Sequence, residues 1–427
     1  MGDIVLETIR DLIWSFPLLL FLLLFGGYLL IKLSKYPLFS CWLFKVTLGN
    51  LNKRGLSVFS VALGGTMGVG NIIGASSCVL LFGAGSLFWI WVSAILGMII
   101  KYSEIVLAMV YRKYVDNEFV GGPMYCMSSN FKSSLYAILC LLTSLGIGNL
   151  VPMNTLVEMV EYRFDISKVW FVIFTSVVIG IVLFKGKSMI EKVCLYMVPI
   201  MSLLFIGGCL VIVCLNSSQL VNVFTEIFTD VFTSGSVLGG LFWSQLQMGL
   251  ARGIYSNEAG MGSSSIVHVK NKDSVACVQG AWGILEVGVD TLVSCTLSAL
   301  VVLLLRDKVG LDVYQSMFVC FSSVFGICGN WLYFVSMLFF AISGMLAWCY
   351  YAYECLKYLK WSNRWYPYVF IIILIIGSFV STEGIWAFTD ICNGLMLFIN
   401  LTSMVGLVDV IIKTTKNYFI SNCYHVK

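Results

Sequence analysis

Charged side chains are scarce in this chain. They make up 11% of its 427 residues, whereas a soluble domain carries about 25%. Hydrophobic residues make up 59%, the mean hydropathy is +0.94, and apolar runs of about 20 residues recur from end to end, each long enough to cross a bilayer. A soluble globular protein is therefore excluded, and we predict an all-α integral membrane protein whose partner is the lipid bilayer.

Histidine is also scarce, because only His268 and His425 occur. The fifteen cysteines lie mostly inside apolar segments and form none of the closely spaced pairs that a zinc site needs. A multi-histidine metal enzyme is therefore excluded, and no clustered nucleophile and base is visible. We predict that the protein is not an enzyme, needs no cofactor and has no nucleic-acid partner.

A basic leader is missing from the N-terminus. The first eleven residues carry Asp3, Glu7 and Asp11 against the single cation Arg10, whereas a cleaved signal peptide begins with positive charge. The first apolar span is therefore predicted to stay in the protein.

Eleven apolar spans can be traced along the chain. They are 12–32, 56–82, 87–111, 135–160, 168–185, 192–215, 236–264, 276–305, 331–359, 366–382 and 384–412. Nineteen of the 26 Lys and Arg residues fall in one set of alternate connections and five in the other, and cytoplasmic loops are the basic ones. This asymmetry predicts a multi-pass inner-membrane protein of bacterial type, with its N-terminus outside and its C-terminus in the cytoplasm.

The count of spans predicts an internal repeat. The first span is an accessory helix, and the other ten divide into two groups of five with opposite orientation, which is the arrangement of an inverted-repeat transporter. The predicted units are an accessory helix with a basic loop, the first five-helix repeat, the second repeat and a short cytoplasmic tail, at 1–55, 56–215, 216–413 and 414–427.

The second span contains five glycines between residues 64 and 74. Because each interior glycine costs about 0.8 to 1 kcal/mol relative to alanine in a soluble helix, we predict a discontinuous helix at 64–74. Unwound backbone at membrane depth is tolerated where it lines a cavity. Gly70 and Gly74 also fit a close-packing motif of small residues, whereas a dinucleotide fingerprint is excluded because no βαβ unit surrounds it.

The seventh span contains a second interruption at 254–264, where polar residues and glycines break an apolar segment. A matched pair of broken helices, one in each half, indicates a transport site. Glu258 lies inside this segment, and an ionised group at mid-membrane costs about 2.5 to 3.5 kcal/mol on insertion scales. Glu258 is therefore either functional or a member of an ion pair, for which Arg252 is the nearest candidate.

Other polar residues within the spans allow two interpretations. Glu286 and Asp290 share one helical face: either both belong to a coupling path, or Glu286 pairs with a basic residue and only Asp290 lies deep. Lys101 and Glu104 are three residues apart and predict an internal salt bridge. In the ninth span Ser343, Gly344 and Trp348 share a face, and alone they are ordinary helix residues.

Several ordered motifs resemble those of the alanine or glycine:cation symporter family over nearly the whole chain. These stretches are Gly68-Val69-Gly70-Asn71-Ile72-Ile73-Gly74; Phe88-Trp89-Ile90-Trp91 with Gly97-Met98; Lys101-Tyr102-Ser103-Glu104 with Tyr111-Arg112; Gly121-Gly122-Pro123-Met124-Tyr125; Gly146-Ile147-Gly148-Asn149; Arg252-Gly253 with Ser256-Asn257-Glu258-Ala259-Gly260; Gln279-Gly280; Asp290-Thr291; and Asp390 with Asn393-Gly394-Leu395-Met396. Together they are specific.

The resemblance implies a leucine-transporter-type fold that couples Na⁺, or H⁺, to uptake of alanine or glycine. The implied substrate-binding residues surround the two breaks and the ninth span: Thr66, Gly68, Val69, Gly70, Asn71, Tyr255, Ser256, Asn257, Gly344 and Trp348. Amides of the first break would hold the substrate carboxylate, and carbonyls of the second its amino group. A sodium ion would bind at Gly64, Met67 and Ser343. Apart from the resemblance, the acids within the spans make Glu258 and Asp290 candidate coupling residues.

Two residues depart from the family pattern at positions that select the solute. Pro152 replaces a usual Gln in the fourth span, and Gly344 replaces a usual Thr in the ninth. Tyr255 and Ile399 are further departures, from Phe and Pro. A missing hydrogen bond to a charged group is worth about 1.5 to 3 kcal/mol. An altered neutral substrate is therefore an alternative, beside a channel or a non-transporting sensor, and the sequence leaves the oligomeric state open.

Overall fold

Helices form almost all of the structure. The computed structural model describes residues 2–49, 52–164, 167–232, 240–309, 313–379 and 382–422. Parts of three predicted segments lie outside the described residues: 236–239, 380–381 and 423–427.

The described residues up to 215 form eleven α-helices and a β-hairpin. They are α1 (Gly2–Ile13), α2 (Phe16–Leu33), α3 (Cys41–Gly49), α4 (Lys53–Thr66), α5 (Val69–Phe82), α6 (Ser86–Val110), β1 (Lys113–Val115), β2 (Glu118–Val120), α7 (Pro123–Cys126), α8 (Asn130–Leu145), α9 (Val151–Arg163), α10 (Lys168–Phe184) and α11 (Lys187–Leu215). A π-helical turn, Gly146–Leu150, joins α8 to α9.

The described residues after 215 form ten more helices. They are α12 (Leu220–Phe232), α13 (Gly240–Asn257), α14 (Ser265–His268), α15 (Ala276–Val287), α16 (Thr296–Leu304), α17 (Ser316–Phe325), α18 (Ile327–Tyr358), α19 (Tyr366–Gly377), α20 (Thr382–Val405) and α21 (Val408–Ser421). A second π-helical segment, Gly288–Cys295, joins α15 to α16. Short 3₁₀ turns lie at 217–219, 306–308 and 313–315.

Seven helical stretches of the described residues are long and apolar enough to cross a membrane, and the bent pair α4–α5 raises the number to eight. The other three predicted spans fall on α10, α13 and α19, which have 17, 18 and 12 residues and do not meet that criterion. The all-helical, multi-pass membrane class is therefore confirmed. The count of eleven spans, the repeats and the orientation stay predictions.

Several short elements were not predicted. Helices α1, α3, α12, α17 and α21 flank the apolar spans, and a hairpin joins α6 to α7. Asp116 and Asn117 form the tip of that hairpin with φ values of 50° and 61°. Positive φ at both central residues is typical of a type I′ turn, for which Asn and Asp are favoured. The sequence therefore carried a hairpin signal that periodicity alone overlooks.

Among the helical stretches of the described residues that are long enough to cross a membrane, α6 is the most buried. In its most apolar window 89% of residues are buried, against 39% in the stretches that contain α2 and α11, so α6 lies at the centre of the bundle and the other two face lipid. Helix α6 packs against α13 and α15, and α11 packs against α4 and α18. Helices assigned to different predicted repeats therefore build the core together.

A cluster of ion pairs fastens one end of the bundle. Glu118 of the hairpin lies 2.7 Å from Lys357 and 3.1 Å from Lys187, while Glu354 lies 2.7 Å from Lys187 and 2.8 Å from Lys270. Burial raises the pKa of Glu118, but the ammonium groups around it outweigh that effect and hold the pKa at about 2, below its ordinary 4.5. Three basic connections predicted on one side of the membrane thus meet at one end.

Candidate functional site

The first predicted break is present between α4 and α5. Helix α4 ends at Thr66, Met67 and Gly68 leave helical geometry, and α5 begins at Val69 after a bend of 46°. Gly68 stands at the N-cap and offers no side chain to the first turn of α5. Because the first amides of a helix lack internal partners and carry partial positive charge, this turn can receive an anion such as a carboxylate.

The second predicted break is also present, from the end of α13 at Asn257 to the start of α14. Glu258 has a φ of 51°, and Gly260 and Gly262 have φ values of 86° and 77°. The left-handed region suits the two glycines but costs about 1 to 2 kcal/mol for a residue with a Cβ. The chain therefore holds Glu258 in a strained conformation.

Side chains from three other helices satisfy the backbone of this unwound segment. The amide of Gly260 donates to Glu104 Oε2 over 3.0 Å, and Asn400 Nδ2 donates to the carbonyl of Gly260 over 2.8 Å. The hydroxyl of Tyr136 donates to the carbonyl of Met261 over 2.6 Å. Because non-helical backbone within a membrane must find its partners inside the protein, these contacts explain how the break is stable.

Asn71 joins the two breaks. Its Nδ2 donates to the carbonyl of Ser256 over 3.1 Å and to Asp290 Oδ1 over 2.8 Å, and it also contacts the carbonyl of Thr66. The other carboxylate oxygen of Asp290 accepts from Ser256 Oγ at 2.6 Å and from Thr291 Oγ1 at 2.8 Å. Three oxygen atoms therefore converge on one amide nitrogen that has only two hydrogens.

A buried cavity lies where the breaks meet. Eight of the ten predicted substrate-binding residues line it: Thr66, Gly68, Val69, Gly70, Asn71, Tyr255, Gly344 and Trp348. Its other lining residues are Gly65, Ile147, Val151, Pro152, Glu258 and Phe340. The polar walls come from the two breaks and the apolar walls from α9, α18 and the first π-helical turn.

Ser256 and Asn257 are absent from this lining, unlike the other predicted binding residues. The hydroxyl of Ser256 is bound to Asp290. The side chain of Asn257 turns toward α6, where a Cβ placed on Gly97 would lie 2.8 Å from its Nδ2, and its Oδ1 accepts from the amide of Ala259 at 2.9 Å. The Ser256 hydroxyl and the Asn257 Oδ1 therefore stabilise the break, while the Nδ2 of Asn257 is buried without a hydrogen-bond partner among the described residues.

The predicted cation residues Gly64, Met67 and Ser343 lie beside the cavity and do not line it. Gly64 and Ser343 are neighbours, because a Cβ placed on Gly64 would lie 3.4 Å from Ser343 Cβ. The Ser343 hydroxyl, however, donates to the carbonyl of Phe340 at 3.1 Å and contacts Met201 Sδ at 3.2 Å. The structure brings the residues together, with the hydroxyl hydrogen directed away from Gly64.

Of the two alternatives for Glu258, the ion pair with Arg252 as its nearest candidate is wrong. Among the described residues no Lys or Arg lies within ion-pair distance of Glu258, and its Oε2 accepts from Ser263 Oγ. Arg252 lies one turn and a half earlier on α13, where its charge acts on Asp390 of α20. A helix of 3.6 residues per turn places positions six apart on different faces, which explains the separation.

The predicted pairing of Glu286 with a basic residue is confirmed, but Glu286 is as deeply buried as Asp290, so the expectation that only Asp290 lies deep is wrong. Glu286 lies 3.3 Å from Lys101 Nζ and 3.1 Å from His268 Nε2. Lys101 also lies 3.7 Å from Glu104, as predicted. The π-helical segment begins between the two acids, so Glu286 faces α6 while Asp290 faces the breaks.

Pro152 lies in the cavity wall directly after the first π-helical turn. A proline within a helix removes a backbone bond to the fourth residue before it, here Gly148, and a π-helical turn is one way to accommodate such a defect. Gly148 in turn packs against Trp348, whose side chain would overlap any Cβ at that position. Pro152, the π-helical turn before it and the contact of Gly148 with Trp348 therefore shape this wall of the cavity together.

Four lining residues were not predicted: Gly65, Ile147, Val151 and Phe340. Phe340 precedes Gly344 by four residues, so helical spacing already placed it on the same face as a predicted site residue. Ile147 and Val151 are likewise four apart. Because apolar walls look like core in a sequence, only their spacing relative to the polar site residues could have identified them.

Comparison with known proteins gives a family match over nearly the whole chain. The model of the sodium:alanine symporter family matches residues 1–424. An uncharacterized transporter of Haemophilus influenzae is 32% identical over 97% of this chain and 96% of its own length.

Several relatives have names that state a solute, and two of them differ in the solute named. The sodium/alanine symporter AgcS of Methanococcus maripaludis is 30% identical over 84% of this chain and 82% of its own length. The probable sodium/glutamine symporter GlnT of Bacillus subtilis is 27% identical over 96% of this chain and 89% of its own length. Relatives with similar coverage therefore carry the names of different neutral amino acids.

Proposed function

Because this chain belongs to the sodium:alanine symporter family, we propose that it couples Na⁺, or H⁺, to the transport of a small neutral amino acid such as alanine or glycine. The observation that carries the proposal is the meeting of two broken helices at one buried cavity. Such a pair supplies both the site and the elements that move in alternating access. The predicted five-helix repeats supply the rest of the mechanism.

The first break is proposed to bind the substrate carboxylate. The amides from Gly68 to Asn71 begin α5 at the cavity wall, and the N-terminus of a helix attracts an anion. The side-chain end of the substrate faces Ile147, Val151 and Trp348. No Lys or Arg is among the described residues that line the cavity, which disfavours a solute with an acidic side chain.

The coupling cation is proposed to bind next to Asp290. The carbonyl oxygens of Thr66 and Ser256 and the carboxylate of Asp290 converge on Asn71, and the two ends of an Asn amide are assigned from their surroundings. With the amide of Asn71 turned over, its Oδ1 joins these oxygens as a ligand. Hard cations such as Na⁺ prefer oxygen ligands. Gly64, Met67 and Ser343 remain a second proposed site.

Pro152 and Gly344 depart from the family pattern at positions that affect the choice of amino acid. Both line the cavity, so a neutral amino acid other than alanine is a specific alternative. The proposed topology places the N-terminus outside and the C-terminus in the cytoplasm of an inner membrane, and it is supported by the meeting of Lys187, Lys270 and Lys357 at one end.

The experiment is substrate-induced sodium flux in liposomes that contain the purified protein. A transporter produces sodium entry that begins when alanine, glycine or another neutral amino acid is added and that saturates with its concentration. Sodium flux that ignores every amino acid indicates a channel, and amino-acid binding without flux of Na⁺ or H⁺ indicates a sensor. Either of those outcomes would contradict the proposal.

A further inference from the structure

Glu258 is the buried acid of the site with the fewest partners. Its side chain is buried, with 2% of the residue exposed, and it lines the cavity. Its Oε2 accepts one neutral hydrogen bond, from Ser263 Oγ. Among the described residues, Oε1 has no hydrogen-bond partner and no Lys or Arg forms an ion pair with the carboxylate. An ionised carboxylate that is buried in this way lacks the ion pair and the hydrogen bonds that offset the cost of burying a charge.

The other buried acids around the breaks are compensated within the protein. Glu286 lies between Lys101 and His268. Glu104 accepts from the amide of Gly260 and lies 3.7 Å from Lys101. Asp290 accepts three hydrogen bonds. The Oε1 atoms of Glu104 and Glu286 also lack a hydrogen-bond partner, but both carboxylates lie within ion-pair distance of Lys101. Glu258 differs because it lines the cavity and, among the described residues, has no Lys or Arg within that distance.

The surroundings of Glu258 add negative potential at this wall. Lys101 acts on it from beyond ion-pair distance and is already shared by Glu286 and Glu104. Glu286 and Asp290 add charge of the same sign. Helix α13 ends immediately before Glu258, and the C-terminus of a helix carries partial negative charge. A cation at this wall is therefore favoured.

The backbone conformation of Glu258 indicates that placing its carboxylate at the cavity wall costs conformational free energy. A φ of 51° is unfavourable for glutamate by about 1 to 2 kcal/mol. Strain of this kind persists where the surrounding structure fixes it and is concentrated at ligand sites. Glycine would remove the strain, as it does at Gly260 and Gly262, but it would also remove the acid.

We propose that the Glu258 carboxylate binds the α-ammonium group of the substrate. The cavity then has two poles: the N-terminus of α5, with its free amides, for the substrate carboxylate, and Glu258 for its ammonium. This inference rests on the proposed function, and it adds a charged partner to the carbonyls that the family resemblance implies. It explains why a site lined by uncharged walls contains one acid, because an amino-acid zwitterion brings one cation.

A metal cation or a proton is the less favoured occupant. The oxygen atoms that could surround a sodium ion converge at Asn71 and Asp290, whereas the carboxylate of Glu258 accepts only from the hydroxyl of Ser263. A proton alone would neutralise Glu258 but would leave the substrate ammonium without an anionic partner. Both occupants are distinguished by the experiment below.

The test compares L-alanine with L-lactate, which keeps the carboxylate and replaces the ammonium by a hydroxyl. In liposomes that contain the native chain, lactate competes weakly with alanine uptake. In Glu258→Gln the preference for alanine over lactate falls by roughly 10- to 150-fold, because the hydrogen bond to a charged group is lost. Glu161→Gln is the control, since Glu161 is exposed and pairs with Lys168, and its preference stays native.

A second variant covers the case in which Glu258→Gln is unstable. Glu258→Asp keeps the charge but withdraws it by one methylene, so alanine affinity falls while lactate affinity stays native. An equal change for both solutes in either variant assigns Glu258 a structural role and overturns the inference. If the preference for alanine stays native but the pH dependence of uptake is lost, Glu258 binds a proton. If the preference stays native but the sodium affinity changes, Glu258 binds a metal cation. If the native chain transports no amino acid at all, the proposed function fails first.

Discussion

Replacement of Asp290 by asparagine tests the connection between the two breaks. The carboxylate accepts from Asn71 at 2.8 Å, from Ser256 at 2.6 Å and from Thr291 at 2.8 Å, and 1% of the residue is exposed. Asparagine has the same shape but only one acceptor oxygen. Its NH₂ group must therefore face Asn71 or the two hydroxyls, so at least one hydrogen bond to a charged group is lost.

The loss of one such bond is worth about 1.5 to 3 kcal/mol, which corresponds to roughly 10- to 150-fold in a binding constant. We expect the sodium concentration for half-maximal alanine uptake by Asp290→Asn to rise by at least about tenfold. The removal of the negative charge from the proposed cation site acts in the same direction.

The assay is alanine uptake by proteoliposomes over a range of external sodium concentrations. Asp409→Asn is the matched control, because Asp409 lies exposed at the start of α21 and its half-maximal sodium concentration is expected to stay native. Melting temperatures in detergent check that both variants are folded. A folded Asp290→Asn protein with the native sodium dependence would refute the assignment of Asp290 to the coupling site.

Three further changes follow from the geometry. Gly344→Thr is expected to fit, because a Cβ there would lie 3.5 Å from the Gly64 carbonyl. We expect this variant to have a stronger sodium dependence and a stronger preference for alanine. If the variant takes up a panel of neutral amino acids with the same selectivity as the native chain, this expectation is wrong. Gly262→Ala is expected to lower stability by about 1 to 3 kcal/mol, because its φ is 77° and its Cβ would overlap Pro123; an unchanged melting temperature in detergent contradicts it. The pKa of Glu118 is held at about 2 in the folded protein, so the stability that its carboxylate contributes is complete above pH 4.5 and is lost as pH falls toward 2. Between pH 5 and 3 the melting temperature of Glu118→Gln should therefore fall less than that of the native chain. Parallel melting profiles would show that the ion-pair cluster contributes nothing.

Glycine and polar residues inside apolar segments were enough to predict both breaks. Five glycines between 64 and 74 and a polar run at 254–264 mark places where a continuous helix is unfavourable. The structure has the interruptions at Met67–Gly68 and after Asn257. Six of the eight predicted binding residues that line the cavity do so because residues near a break are held close to it by the chain itself, whereas Gly344 and Trp348 come from α18.

Partners across the bundle could not be predicted in the same way. The pairing of Glu258 with Arg252 was inferred from proximity in sequence, whereas the bundle places Ser263 against Glu258 and Asp390 near Arg252. The contact of Asn71 with Asp290 joins residues 219 positions apart. Such contacts depend on helix packing, which a single sequence does not encode in its local pattern.

The polar side chains of Ser256, Asn257 and Ser343 form bonds within the protein, whereas the roles that the resemblance implies for Ser256 and Asn257 use backbone carbonyls; all three implied roles stay predictions. Each has a polar side chain at the expected position, yet each is bonded to Asp290, to the amide of Ala259, or to the carbonyl of Phe340. A residue type indicates which bonds a side chain can form. Its neighbours in the fold decide which of those bonds it does form.

The central claim is that the two broken helices bind a neutral amino acid and a coupling cation together. Its most direct test is the concentration of alanine reached inside proteoliposomes that carry an inward sodium gradient, with an inward proton gradient measured in parallel. Coupled symport predicts that internal alanine transiently exceeds the external concentration with one of these gradients and only equals it when both are absent. Uptake that stops at equality under every gradient would contradict the account.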